Sequence, residues 1–269
     1  MRMHKPLRFL LAAAAAIALA GCIDTQTTIT VKADGSGTIE KTIILSKHLP
    51  ELMQSMGNKD DPAKIAAGML NEQGLKAGAA RMGTGVSFVS ATKVSSPKGD
   101  GYKAVYSFKD INAVKISQNP TTDLTMPGVP TTNAVDKESF AFTFKKGSPA
   151  SLSIAFPKTD ASATSAAASG APQNADEKMM AKIKELYADM RVVLAIAVDG
   201  SITATNASYV SGSTVTIVDM DFGKVIANDA VYTKLKGMQG QSMAEVRKVV
   251  KAVPGIKVED KDPVTISFK

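Results

Sequence analysis

Two periodicities divide this chain. Over residues 27–32 apolar and polar side chains alternate, with Ile29 and Val31 on one face; after Ala33-Asp34-Gly35-Ser36-Gly37 a β-rich run resumes over 38–45. That arrangement predicts a hairpin, because the glycines supply turn conformations between β-branched runs. Further strand patterns cover 85–94, 101–108 and 113–116, with Gly99-Asp100-Gly101 as a turn between the first two, and together they predict a meander. Ser139–Phe144 and Ser151–Phe156 predict a second hairpin around 145–149, with Phe140, Phe142 and Phe144 on one face as sheet core. Val192–Val198 is seven consecutive apolar residues ended by Asp199-Gly200, the pattern of a strand buried on both faces at the centre of a sheet. Strands at 201–209 and 213–222, around Ser211-Gly212-Ser213, and short ones at 256–258 and 264–268 complete the set.

Elsewhere the period lengthens to that of a helix. Leu49, Leu52, Met53 and Met56, then Ile65, Met69 and Leu70 after Asp60-Asp61-Pro62, predict two helical segments over 47–74, with Asp61 as N-cap, Pro62 as first helical residue and Gly74 as stop. Met179, Ile183, Leu186 and Met190 mark another helix face after Asn174. Ser242-Met243-Ala244-Glu245 is a capping box that opens a helix with Met243, Val246, Val249 and Val250 inward, ended by Gly255. Residues 119–133 and the Ala/Ser/Thr-rich 158–173 carry too little apolar bulk to pack and are expected as loop or linker. The fold class that follows is α+β: a mainly antiparallel curved sheet with packed helices.

The amino terminus obeys a different pattern. Arg2, Lys5 and Arg8 precede the apolar run Phe9–Ala20, the order of an export signal. Twelve apolar residues span only ~18 Å as a helix against a hydrocarbon core of ~30 Å, so a permanent span is disfavoured. Leu19-Ala20-Gly21-Cys22 resembles the lipobox of bacterial lipoproteins, which implies cleavage before Cys22, a diacylglyceryl thioether on Cys22 and acylation of the new amino terminus. Two or more acyl chains give stable membrane attachment where one does not. The implied location is the extracytoplasmic side of a bacterial membrane. By the sorting rule of enterobacterial lipoproteins, an Asp directly after the cysteine retains the protein at the inner membrane; here Ile23 follows Cys22 and Asp24 comes one later, which leaves inner and outer membrane both open.

Composition narrows the chemistry. Loss of residues 1–21 removes three of 32 Lys+Arg and none of 25 Asp+Glu, so the formal charge falls from +7 to +4. Much of the basic excess belongs to the leader. The remainder shows only pairs such as Lys145-Lys146 and Arg247-Lys248, read as solvated surface, and no basic patch for nucleic acid. Cys22 is the only cysteine, so no disulfide or thiol chemistry remains once it is acylated. Tryptophan is absent and 13 methionines help aliphatic residues to pack; gap-filling core explains them more simply than a cavity for irregular apolar ligands.

Candidate catalytic groups are sparse. His48 is the one histidine after the leader and precedes Leu49-Pro50, a poor context for a triad base. Ser46-Lys47 and Ser117 lack a Gly-x-Ser-x-Gly elbow or a Ser-x-x-Lys with its companion motifs. Asp60-Asp61 and Asp219-x-Asp221 lack the spacing of a calcium loop, and Met53-x-x-Met56 and Met179-Met180 fall short of a copper(I) tract, so no metal site is expected. No phosphate-cradling loop or Rossmann fingerprint appears, and no cofactor is expected.

The hairpin at Asp34-Gly35-Ser36-Gly37, the strand carrying Gly101, Tyr102, Val105 and Phe108, and Asp199-Gly200-x-Ile202-x-x-Thr205-Asn206-Ala207 with its following strand resemble the LppM-like lipoprotein family over about residues 22–222. The resemblance implies a shared architecture and an association with envelope lipids. The expected organisation is a signal peptide at 1–21, a β-rich first part at 22–158, a linker or loop at 159–175, an α/β second part at 176–236 and a small helix–strand unit at 237–269. The expected function is noncatalytic: a lipoprotein held to the membrane by its anchor and binding an amphiphile or envelope component there. The alternative is a structural or adaptor lipoprotein that meets another envelope protein.

Overall fold

The computed structural model describes residues 23–48, 72–118, 139–157, 188–238 and 243–269. The leader, Cys22, the helical segments expected over 49–71, the loops at 119–133 and 158–173, and nearly all of the helix expected after Asn174 lie outside the described residues.

The architecture is α+β and mainly antiparallel, and its strands divide between two sheets. β1 (Ile23–Val31) and β2 (Gly37–Ser46) form the expected hairpin, longer than the alternation alone suggested. Its turn is closed by Asp34, whose carboxylate accepts from Ser36 N at 2.9 Å and Ser36 Oγ at 2.7 Å. Gly35 stands at φ 88°, where an L side chain is strained, and a Cβ there would lie 2.8 Å from the Phe144 ring. β3 (Ser87–Ser96) and β4 (Gly99–Phe108) follow as an antiparallel pair, with β4 against β2.

β8 (Arg191–Val198) lies between β1 and β11 (Thr214–Asp221), parallel to the first and antiparallel to the second. The interior position matches the apolar run. Burial on both faces holds for Leu194, Ala195 and Ile196, while Val192 and Val193 are half-buried. β10 (Val210–Ser211) and β12 (Lys257–Val258) both pair with β11 at that edge.

The second sheet runs β5 (Ile116–Ser117), β6 (Ser139–Lys145), β7 (Ala150–Ala155), β13 (Val264–Phe268), β9 (Ile202–Thr205). The segment 237–269, expected as a small helix–strand unit, supplies β12 to the first sheet and an interior strand to the second. Phe268 is fully buried there. The reason is a pairing between distant segments: β13 binds β7 on one side and β9 on the other.

Two other expectations change. Ala113–Ile116 is not a strand; Asp110 caps a 3-10 turn over Ile111–Ala113 by accepting from Asn112 N at 2.9 Å, and β5 starts only at Ile116. Gly74 does not stop a helix. It lies within α1 (Glu72–Arg81), whose Leu75, Gly78 and Ala79 are buried, and Tyr106 Oη donates to Leu75 O at 3.2 Å. Packing of that face overrides the poor helix propensity of glycine. Three short helices close the structure: α2 (Phe222–Ala227), α3 (Asp229–Lys236) and α4 (Met243–Val250).

Candidate ligand-binding cavity

Two apolar clusters meet without merging. The larger joins the facing sides of both sheets, with Ile29, Ile196, Leu152 and Ile266 fully buried. The smaller gathers the short helices and β12 around Val225, Val249, Val250, Ile256 and Val258. Between them lies a cavity of about 160 Å³. Phe140, Phe156 and Leu194 of the larger cluster form one wall; Val246, Val250 and Val258 of the smaller form the other.

Strand geometry explains why the wall is apolar. Side chains two apart share a face, which groups Val192 with Leu194 on β8; Val193 between them also lines the cavity, so this stretch of wall is entirely aliphatic. Next to them the register of β11 shifts between Thr216 and Val218: Ile217 is fully buried in the larger cluster, and Val218 and Met220 line the cavity. Such a shift re-aims side chains beyond it. The volume is comparable to engineered apolar cavities of roughly 150 Å³ that bind benzene.

Polar groups enter at defined places. The inward face of β1 reads Ile23, Thr25, Thr27, Ile29, Val31, and the two threonines line the cavity where their neighbours are isoleucine and valine. Thr25 Oγ1 is buried and has no hydrogen-bond partner among the described residues. Lys41 sits opposite Thr27 in the β1–β2 register, is only 5% exposed, and already has a partner.

Arg247 reaches the cavity from α4, with its guanidinium carbon 4.3 Å from the centroid of the Phe156 ring. Burial pulls its pKa below the usual arginine value, while Asp262 and Asp260 pull the other way. Those carboxylates are engaged elsewhere. Asp262 Oδ1 accepts from Phe156 N at 3.0 Å, and Asp260 Oδ2 accepts from Lys251 Nζ at 2.7 Å. The reading of Arg247-Lys248 as solvated surface thus holds for Lys248, whose side chain is 68% exposed, and fails for Arg247. Successive helical residues point about 100° apart, so one member of a basic pair can face inward.

The other sequence candidates have local structural roles. Ser46 Oγ donates to Asp189 Oδ2 at 2.9 Å and accepts from His48 N at 3.2 Å, which makes the Ser46–His48 stretch a strand-end turn. Asp219 holds Arg191 through two bonds of 2.9 and 3.0 Å, and Asp221 caps α2 by accepting from Lys224 N at 3.2 Å. The Asp219–Asp221 pair is thereby divided between two tasks. Ser117 lines the cavity with its neighbours Ile116 and Gln118. Phe140 is both core and cavity wall, its ring 5.2 Å from Phe156 in an edge-to-face pair. Met190 and Met220 line the cavity, the use of methionine that the sequence ranked second to plain core filling. Asp60-Asp61, Met53, Met56 and Met179-Met180 lie outside the described residues, as do Leu19, Ala20, Gly21 and Cys22. Among the described residues no group of three or more His, Cys, Asp and Glu could hold a metal ion, and no helix is long and apolar enough to cross a membrane.

Ile23 is the first residue of β1, paired with Leu45 and fully buried.

No family model and no curated protein matches this chain. Among solved structures it is similar to the NMR structure of the folded domain of Mycobacterium tuberculosis LppM, at 14% identity and a TM-score of 0.30, over 75% of this chain and 84% of that one. At those values the likeness carries no argument about function.

Proposed function

We propose that this chain is a noncatalytic, membrane-anchored lipoprotein that takes the apolar part of an amphiphile into the cavity between its two clusters. What supports the reading is that cavity: its walls are aliphatic and aromatic, with a few polar groups, the composition typical of small-molecule sites. The lipobox-like Leu19-Ala20-Gly21-Cys22 supplies the anchor, with Cys22 as the acylated residue. Extended chain reaches at most ~3.6 Å per residue, so Thr25 in the cavity wall stands within ~11 Å of Cys22. Anchoring therefore keeps the cavity beside the bilayer, where the local concentration of membrane amphiphiles is high.

The test uses the chain from Ile23 onward, which contains every described strand and helix, purified without detergent and examined by native mass spectrometry. The expected result is a co-purified amphiphile that is lost when Val192→Phe fills the cavity. An unliganded domain, or equal loading of wild type and Val192→Phe, would refute the site. A stoichiometric crosslinked envelope protein with no lipid would favour the adaptor reading.

A further inference from the structure

We infer that Arg247 reads the head of the bound molecule, so that the cavity selects a single-chain amphiphile with an anionic head over a neutral one of equal chain length. The inference rests on the cavity being the binding site. Three features of Arg247 carry it.

First, its guanidinium is placed rather than loose: it stacks over Phe156, itself a wall residue, and it projects from a helix that packs onto the smaller cluster. Planar guanidinium over an aromatic ring keeps its edge donors available for a carboxylate or phosphate. Second, it makes no ion pair among the described residues, and the two carboxylates that feel its charge are bound to the Phe156 amide and to Lys251. A half-buried cation without an opposing anion in its own shell is an electrostatic deficit that an incoming anion removes. Third, the strand wall holds the Thr25 hydroxyl, 3% exposed and unsatisfied among the described residues. Buried polar groups are normally hydrogen-bonded, so an unsatisfied one in a cavity wall is independent evidence that a polar ligand atom belongs there. An apolar molecule alone would leave both groups unmatched.

A cavity of about 160 Å³ suits one narrow apolar segment. The head then lies by Arg247, and the tail runs between Leu194 and Val250.

The experiment compares decanoate, decyl phosphate and decanol binding by calorimetry to the chain from Ile23 onward, in wild type, Arg247→Gln and Arg247→Lys. Wild type is expected to bind the two anions about tenfold or more tightly than the alcohol, the range of one charge-assisted hydrogen-bonded contact. Arg247→Gln should lose the preference for the anions over decanol while still binding decanol, and Arg247→Lys should recover part of that preference. Preference for decanoate over decyl phosphate, or the reverse, identifies which anionic head the site fits. Equal binding of acid and alcohol by wild type, or an unaltered preference in Arg247→Gln, overturns the role of Arg247 and leaves the cavity reading intact. Binding of none of the three overturns both. A thermal melt of each variant shows that the fold survives, and decanol binding reports an intact cavity in the same sample.

Discussion

Glu259 is fully buried, and its carboxylate ties together parts of the chain about fifty residues apart. It accepts from Ser208 N and, on its other oxygen, from Ser208 Oγ at 3.0 Å, Asp260 N at 2.9 Å and Lys261 N at 3.1 Å. Its own backbone N donates to Ile217 O at 2.9 Å, which places it at the end of β12 against β11. The side chain thus clasps the segment after β9 to the connection that leads into β13. In Glu259→Ala the four donors lose their acceptor. At roughly 0.5–1.5 kcal/mol net per bond the gross loss is about 2–6 kcal/mol. Two effects reduce it: Ser208, Asp260 and Lys261 are exposed residues whose donors can turn to water, and burying the carboxylate was itself costly. The expected net loss is about 2–4 kcal/mol. Glu259→Gln keeps one acceptor oxygen but turns an amide donor toward other donors, with an expected loss of about 1–2 kcal/mol. Urea unfolding followed by far-ultraviolet circular dichroism, with unchanged slopes as the check on two-state behaviour, measures both. A Glu259→Ala loss below ~1 kcal/mol would refute the clasp, since an ordinary surface carboxylate costs no more than that.

Three further outcomes are expected. Thr25→Val, which removes an unsatisfied buried hydroxyl at nearly constant shape, should stabilise the unliganded domain by about 1 kcal/mol in the same urea assay; a loss would mean that the hydroxyl has a partner. Gly101→Ala places a Cβ 1.8 Å from Ile43 O across the β2–β4 ladder, so it should cost about 1–3 kcal/mol and lower the melting temperature, whereas an unchanged melt would show that the strands can separate freely there. Asp34 has a pKa held below the usual carboxylate value, chiefly by the Ser36 hydroxyl and then by the Ser36 amide. A depressed folded-state pKa means that its contribution to the turn is present above the ordinary carboxylate range and is lost as pH falls through the folded value. Ser36→Ala should therefore raise the Asp34 titration midpoint in a carbon-13 NMR pH series; an unmoved midpoint would remove the hydroxyl as the cause.

Local pattern was sufficient for most elements, because it is a property of neighbouring residues. The alternation around Ile29 and Ile39, the Asp34-to-Gly37 turn, the phenylalanine repeat on β6 and the capping box before Val246 each state a conformation and an inward face within a few positions, and the α+β class follows from their mixture. Two local readings changed for different reasons: Gly74 stays helical because tertiary packing buries Leu75 and Ala79 of α1, whereas the run before Ile116 turns because of a local cap, Asp110 accepting from Asn112 N.

The partition of strands between two sheets, by contrast, was not legible. β1 pairs with β8 across more than a hundred and fifty residues, and β13 enters between β7 and β9; no period along the chain encodes which distant edges meet. The cavity has the same origin. It exists because two clusters stop short of each other, a matter of volumes contributed by Phe140, Leu194, Val250 and Val258 from four separate segments. Arg247 makes the contrast sharpest: in the sequence it is half of an ordinary basic pair, and only the seating of α4 over Phe156 turns its charge inward. Sequence by itself determined the local elements, written in contiguous residues; tertiary structure alone decided where an apolar space opens and which charge faces it, because burial depends on what arrives from elsewhere in the chain.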